Sequence, residues 1–332
     1  MTEKNGWLLL DVIEPREMTV LMVGEKPRPG LPWRSVVKQN QQQLLDAAVK
    51  CIRLKARVHV SVSGSRCITA LPVIERIHNR VHGVWVSTHQ RGEAPTMPLP
   101  SWSFLWDLEV GFAFRSEAVG MASSWTDLGV PTQRPIADAL RVFDLADHTS
   151  AALAGLVCES RTSVDHHTAL EHRPGSARHV HFAVHSHLGI PPDASARLLR
   201  GLSVDIGAAP PTATRSGPQL GDRIAQALTP KNRYRAISDP DSLNLLFWHG
   251  PPAPRIAWTA DNTAESPILH PEDMPAAMQA AGDLRAGEPG LSIDLTVRFL
   301  THDGQYEPID LTVSLIELDT DRSALLVVLT VP

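Results

Sequence analysis

The chain is short of cysteine, tyrosine and positive charge, and each shortage narrows what it can be. Of its 332 residues only Cys51, Cys67 and Cys158 are cysteine and two are tyrosine. An odd number of thiols without CxxC spacing argues against a disulfide framework or a cysteine-rich zinc site, and leaves buried, inert thiols as the expectation. Lys and Arg total 31 against 36 Asp and Glu, a formal net charge of -5 with a pI near 6.3. No basic field is therefore available for nucleic acid or an anionic membrane, and neither is expected as a partner. The longest apolar runs, such as residues 324–331, are of strand length, so no membrane span is expected. The polar start, residues 1–6, lacks a signal-peptide core, and a cytoplasmic location follows as the expectation. Catalytic signatures are missing too. Ser63-Gly64-Ser65 is no nucleophile elbow, there is no glycine-rich phosphate loop ending in Lys-Ser or Lys-Thr, and the Gly-Gly-Asp/Glu-Glu-Phe and Glu-Ala-Leu second-messenger motifs are absent. The chain is expected not to be an enzyme.

What is present is the composition of a folded protein: 43% apolar and 20% charged residues. The length suits two or three domains. Two Pro-rich stretches, 93–100 (EAPTMPLP) and 208–218 (AAPPTATRSGP), read as linkers. They cut the chain into modules 1–94, 100–208 and 220–332. In the first, strands are expected at 7–12, 19–23, 58–63, 67–74 and 81–87, around a helix over 35–54 whose apolar stripe is interrupted by the polar run 39–43. In the second, a hairpin over 102–115 leads into helices at 136–145 and 150–158, then a hairpin of 162–171 with 178–187 and a strand at 198–206. The third repeats this order: Phe143-Asp144-Leu145-Ala146-Asp147 lines up with Leu269-His270-Pro271-Glu272-Asp273, Ser163-Val164-Asp165 with Ser292-Ile293-Asp294, and 198–206 with 325–331. The fold class expected is α+β, three tandem modules each with an antiparallel sheet and helices on one side.

A tryptophan-anchored strand (Trp102-Ser103-Phe104-Leu105-Trp106-Asp107-Leu108), a Leu269-His270-Pro271-Glu272-Asp273 turn before a helix, and a three-strand antiparallel return resemble a PAS domain. In the turn, Pro271 pre-sets the backbone and Asp273 is expected to cap the helix. Over nearly its whole length the chain also resembles an actinobacterial, chiefly mycobacterial, family of sensor-like proteins combining PAS and GAF modules without an attached catalytic domain. The phrases that carry this are Gly6-Trp7-Leu8-Leu9-Leu10, His82-Gly83-Val84-Trp85-Val86, Leu199-Arg200-Gly201-Leu202-Ser203-Val204-Asp205-Ile206 and Leu245-Leu246-Phe247-Trp248-His249-Gly250-Pro251-Pro252. Leu71-Pro72-Val73 followed by His82-Gly83-Val84-Trp85 gives the first module the GAF-like label. The resemblance implies a fold and a signalling context, and carries over no catalytic residues.

Histidine is the local oddity: 15 in all, with seven between His166 and His187. With Glu171 opposite His179 and Asp165 opposite His185, strand parity puts Asp165, His167, Glu171, His179, His181, His185 and His187 on one face, and Val164, Leu170, Val180, Phe182 and Val184 on the other. Asp165, His167, His179, His181 and His185 have the ligand types that zinc, nickel or copper prefer. The plainer readings are a polar outer face against a neighbour or water, or a pH-sensitive interface. Trp102, Trp106, Phe143 and Phe182 are the candidates to line a cavity for an apolar or aromatic ligand, against ordinary core packing. No flavin or haem signature is found: Val157-Cys158-Glu159 departs from the Asn-Cys-Arg setting of a flavin-binding PAS domain, and His148 is the single positional candidate for a haem ligand. The cofactor is left unknown. The expectation is a non-enzymatic sensor or adaptor that binds a small ligand or an unidentified signalling partner and transmits a rearrangement between modules, with a homodimer as a fair expectation. The alternative is a ligand-free interaction scaffold; a metal-binding protein through the histidine hairpin comes third.

Overall fold

Strand β1 (Trp7–Asp11, WLLLD) is buried at every position, which requires a sheet covered on both faces. The computed structural model describes residues 6–14, 18–62, 65–93, 95–120, 132–144, 149–157, 163–173, 176–188, 197–210, 227, 229–259, 267–320 and 322–331. Cys158, His148 and most of the stretch 208–218 lie outside them. Every strand pairing among the described residues is antiparallel. The fold is α+β.

The first sheet comprises β1, β2 (Thr19–Val23), β3 (Lys26–Pro32), β4 (Val58–Ser61), β5 (Arg66–Glu75) and β6 (Arg80–Gln90), in the order β3-β2-β1-β6-β5-β4. The helix expected over 35–54 is two helices, α1 (Trp33–Val36) and α2 (Gln41–Leu54), because Asn40 between them is left-handed at φ 53°. The polar run at 39–43 was the visible trace of that break. β3, KPRPGLP, is a mostly exposed edge strand that reads as a loop; prolines are tolerated at a sheet edge where no donor is missed. Helix α2 buries Leu44, Ala47, Ala48 and Cys51 against Leu8, Leu10, Val84 and Val86 on one face.

The second sheet runs β10-β11-β12-β13-β7-β8-β9, from β7 (Ser101–Asp107), β8 (Phe112–Arg115), β9 (Gln133–Pro135), β10 (Phe143–Asp144), β11 (Ser163–Arg173), β12 (Ser176–Leu188) and β13 (Arg197–Ala208), with α3 (Ile136–Arg141) and α4 (Thr149–Leu156). The third runs β15-β14-β18-β17-β16, from β14 (Arg233–Ser238), β15 (Leu245–Trp248), β16 (Ser292–Leu300), β17 (Tyr306–Asp319) and β18 (Arg322–Thr330), with α5 (Met274–Ala286). The two share a plan: an opening hairpin, helices, then a three-strand return whose last strand lies beside the first. Even the matched phrases coincide in place, since Phe143 pairs with Glu171 on β11 and Leu269 bridges Phe299 on β16. Asp273 does not cap α5 with its side chain. Its carboxylate instead accepts from the Arg298 backbone N–H at 2.7 Å and from the guanidinium at 2.7 and 3.0 Å, which ties the turn to β16 and holds the carboxyl down to about 2.

The layers stack in one direction. The face of sheet one opposite α2, carrying Trp7, Leu9, Val73 and Trp85, packs on Ala183, Leu202 and Val204 of sheet two. Gly83 is needed there, because a Cβ would sit 2.8 Å from Leu202. The other face of sheet two looks toward α3 and α4. Those helices in turn rest on sheet three, where Leu140, Leu153 and Leu156 meet Ile237, Leu246 and Ala324. The far face of sheet three is covered by α5 through Ala281 and Leu284. The order is therefore α2, sheet one, sheet two, α3 and α4, sheet three, α5.

Candidate ligand cavity

Strand β7 alternates Trp102, Phe104 and Trp106 with small or aliphatic residues, and a period of two sends all three aromatics to one face. Pairing carries this face across the sheet. Trp102 stands opposite Ser203 and Phe104 opposite both Gly201 and Arg115, while Val184 pairs with Gly201 and Phe182 with Ser203. On β11, Phe182 faces His167 and Val180 faces Ala169. This face and helices α3 and α4 enclose a cavity of about 380 Å³. Trp102, Trp106, Phe143 and Phe182, the four residues singled out from the sequence, all line it. Phe143 and Phe182 lie 5.8 Å apart at 49°, and His167 lies 5.6 Å from Phe182.

Of the polar groups at the cavity, Arg115 and Arg134 were not singled out. Arg115 lies 4.3 Å over the Trp102 ring and 3.6 Å from the carboxylate of Glu171, which is almost fully buried. Arg134 is on the same face, opposite Ala113, which is opposite Trp106. Burial lowers the Arg134 pKa, with Asp138 and Glu171 opposing that shift. The signal that could have found them is parity: Arg115 is the cross-strand neighbour of Phe104 in a hairpin that the sequence already suggested.

The five metal candidates are not brought together. Arg173 pairs with Ser176, so Glu171 faces Arg178 and not His179. That one-residue slip reverses parity between the two strands. Asp165 and His167 turn toward the cavity side, while His179, His181 and His185 turn toward sheet one. Among the described residues no group of three or more His, Cys, Asp or Glu is placed to hold a metal. The same slip separates Val164 and Leu170 from Val180, Phe182 and Val184. The histidines facing sheet one find other partners. His185 Nε2 is 2.7 Å from Asp11 Oδ2, both buried, and His181 Nδ1 is 2.9 Å from Thr168 Oγ1. His82 Nδ1 is 3.2 Å from the Gly201 carbonyl oxygen. Burial pulls His82 down to about 3 and His181 to about 4.

A second cavity, about 160 Å³, lies between sheet three and α5 and is lined by Trp248, Leu269, Met274, Phe299 and Leu325 among others. Among the described residues no helix is long and apolar enough to cross a membrane.

Residues 218–332 match the family model described as Rv3651-like, C-terminal domain. The fold as a whole is similar to the crystal structure of an uncharacterized protein from Mycobacterium tuberculosis, at 23% identity and a TM-score of 0.77, over 99% of this chain and 97% of that one. The three-sheet architecture is therefore shared with a mycobacterial protein along its full length. An RNA-binding Light-Oxygen-Voltage receptor (11% identity, 70% of this chain and 95% of that chain, TM-score 0.23) and the periplasmic sensory domain of the Campylobacter jejuni chemoreceptor Tlp1 (10%, 72% and 73%, 0.21) are too distant to inform the fold. No curated protein matches.

Proposed function

We propose that the chain is a non-enzymatic sensor or adaptor, with PAS-like second and third modules and a GAF-like first module, in which a small apolar or aromatic molecule occupies the 380 Å³ cavity. The observation that carries this is the cavity's position: it lies between an aromatic sheet face and the two helices on which the third module rests. Its size is within the range of small-molecule sites, and a few polar groups converge on an apolar wall. The PAS-like label is supported by the shared plan of sheets two and three, and the GAF-like label by the adjacent strands β5 and β6 that carry Leu71-Pro72-Val73 and His82-Gly83-Val84-Trp85. A ligand acts here by preferring one placement of α3 and α4 over another, and a partner protein reads the outcome. The scaffold reading is favoured for the third module, whose smaller cavity is crowded by Trp248, Met274 and Phe299.

Native mass spectrometry of the untagged protein beside its denatured mass tests this. The expected result is an excess mass on the native species that is lost in Phe182→Trp, where the larger ring occupies the space. A bare native mass, together with no change in thermal stability across a library of small aromatic compounds, overturns the sensor reading and leaves the scaffold.

A further inference from the structure

We infer, on the reading that the second module's cavity is a ligand site, that its ligand is a neutral aromatic molecule carrying a ring oxygen, a hydroxyl or a carbonyl, and that this oxygen hydrogen-bonds to the Ser203 hydroxyl between Trp102 and Phe182.

Alternate residues of a strand share a face, so β13 turns Leu199, Gly201 and Ser203 toward the cavity. Pairing fixes what stands on either side. Ser203 lies opposite Trp102 on β7 and opposite Phe182 on β12, which puts its Cβ about 5 Å from each of theirs. Two residues back along β13, the Phe104 ring lies over Gly201, where a Cβ would overlap it. The Ser203 hydroxyl is thus set among three aromatic side chains. Ser203 is 4% exposed, and among the described residues no group hydrogen-bonds to its hydroxyl, which opens on the cavity. Ser101, on the opposite face of the sheet, is different: its hydroxyl accepts from Trp85 Nε1 at 2.8 Å. A hydroxyl shut away from bulk water costs stability unless it is met, so Ser203 is met by whatever fills the cavity. A ring oxygen does this while the ring makes offset and edge contacts with Trp102 and Phe182. A Cβ on Gly155 of α4 would meet nothing within 4 Å, which leaves room for the body of the ring above the sheet.

Neutrality follows from the balance of charge. Arg115 and Arg134 line the cavity beside Asp144, Asp165 and Glu171. Arg115 is held by Glu171 at 3.6 Å, and Asp138 and Glu171 act electrostatically on Arg134. A charged ligand would have to break into these pairings at a desolvation cost, whereas a neutral one leaves them intact.

Paired probes of nearly equal shape isolate the oxygen: 2-naphthol against 2-methylnaphthalene, and p-cresol against p-xylene, each measured calorimetrically on the full chain. Transfer out of water alone favours the methyl compound about tenfold or more. The hydroxyl member of at least one pair is nevertheless expected to bind as tightly as its methyl partner or tighter. Ser203→Ala is expected to move that ratio about tenfold or more toward the methyl compound while leaving the methyl compound's own affinity unchanged. A variant that merely disturbed the cavity would weaken both alike. Tighter binding of the methyl member in both pairs, or a ratio that Ser203→Ala leaves unmoved, overturns the Ser203 inference while keeping the cavity as a ligand site. If no probe binds, the ligand-site reading fails with it.

Discussion

Glycine to alanine is one chemical change, and the structure gives it opposite signs at Gly155 and Gly201. Gly155 lies in α4 with ordinary helical backbone, and a Cβ there meets nothing within 4 Å. Alanine at such a site lowers the entropy of the unfolded chain and favours the helix, a gain of about 0.5–1 kcal/mol. At Gly201, in the middle of β13, a Cβ would overlap the Phe104 ring and the backbone carbonyl of Ala183. The ring has a cavity beside it and can swing aside; the carbonyl belongs to β12, paired along its length with β13, and cannot. Overpacking of that kind costs about 1–3 kcal/mol or more. The two variants should therefore lie on opposite sides of the wild type, roughly 1.5–4 kcal/mol apart. Urea unfolding followed by tryptophan fluorescence reads this as midpoints on either side of the wild-type value at an unchanged slope. Destabilisation by Gly155→Ala would refute the open space above the sheet. A neutral Gly201→Ala would refute the close approach of Phe104 and Ala183.

Stability should also fall as pH falls below neutrality. His82 is held at about 3 and His181 at about 4 when folded, below the ordinary 6.5 of the unfolded chain, so the unfolded state binds more protons throughout the interval. The stabilisation is complete above about 6.5 and is lost progressively toward 4 and then 3; a urea midpoint unchanged between pH 7.5 and 5 would contradict it. Between modules two and three, Arg197 Nη1 pairs with Asp239 Oδ2 at 2.8 Å, both buried. Arg197→Met should cost about 3 kcal/mol by leaving Asp239 without its cation, and Arg197→Met with Asp239→Asn, which keeps an acceptor for the Asp241 N–H and the Ser242 hydroxyl, should recover most of that loss; a double variant no better than the single one counts against the pair.

Much of the fold was legible because alternation is read directly from side chains. Trp102 and Trp106 marked both a strand and residues that line the cavity, whereas the unbroken apolar run of β1 was read only as a strand, and its burial on two sides follows from the packing of sheet one on sheet two. The repeat was legible because the same turn and return recur at Phe143 and Leu269. Register was not. The expected pairing centred the histidine hairpin on residue 175, whereas pairing of Arg173 with Ser176 centres it between 174 and 175. Half a residue at the turn is one residue in register, and that moved Asp165 and His167 to the opposite face from His181 and His185. β3 was missed because its prolines and glycine carry the composition of a loop. Arg134 was missed because it sits on a three-residue edge strand, too short for periodicity to show.

The two interfaces between modules differ in kind, and that difference decides where a ligand can be felt. Modules one and two join sheet to sheet, with Gly83 pressed against Leu202 and the His185–Asp11 contact buried between them. Sheets have few ways to slide without breaking such contacts. Modules two and three join through α3 and α4, of six and eight residues, and through the direct Arg197–Asp239 and Asn244–Leu108 contacts. Helices that short are not stable alone and take their position from what packs on them. On one side that is the cavity, and on the other it is sheet three, held to α4 by Ser150 Oγ donating to the Leu318 carbonyl at 2.7 Å, while Asn244 Nδ2, donating to the Leu108 and Glu109 carbonyls at 2.9 Å, ties sheet three directly to the β7–β8 turn of sheet two. A molecule in the cavity that displaced α4 would thus act on sheet three at Leu318, and the ties of sheet three to sheet two at Asn244 and Arg197 would oppose that movement.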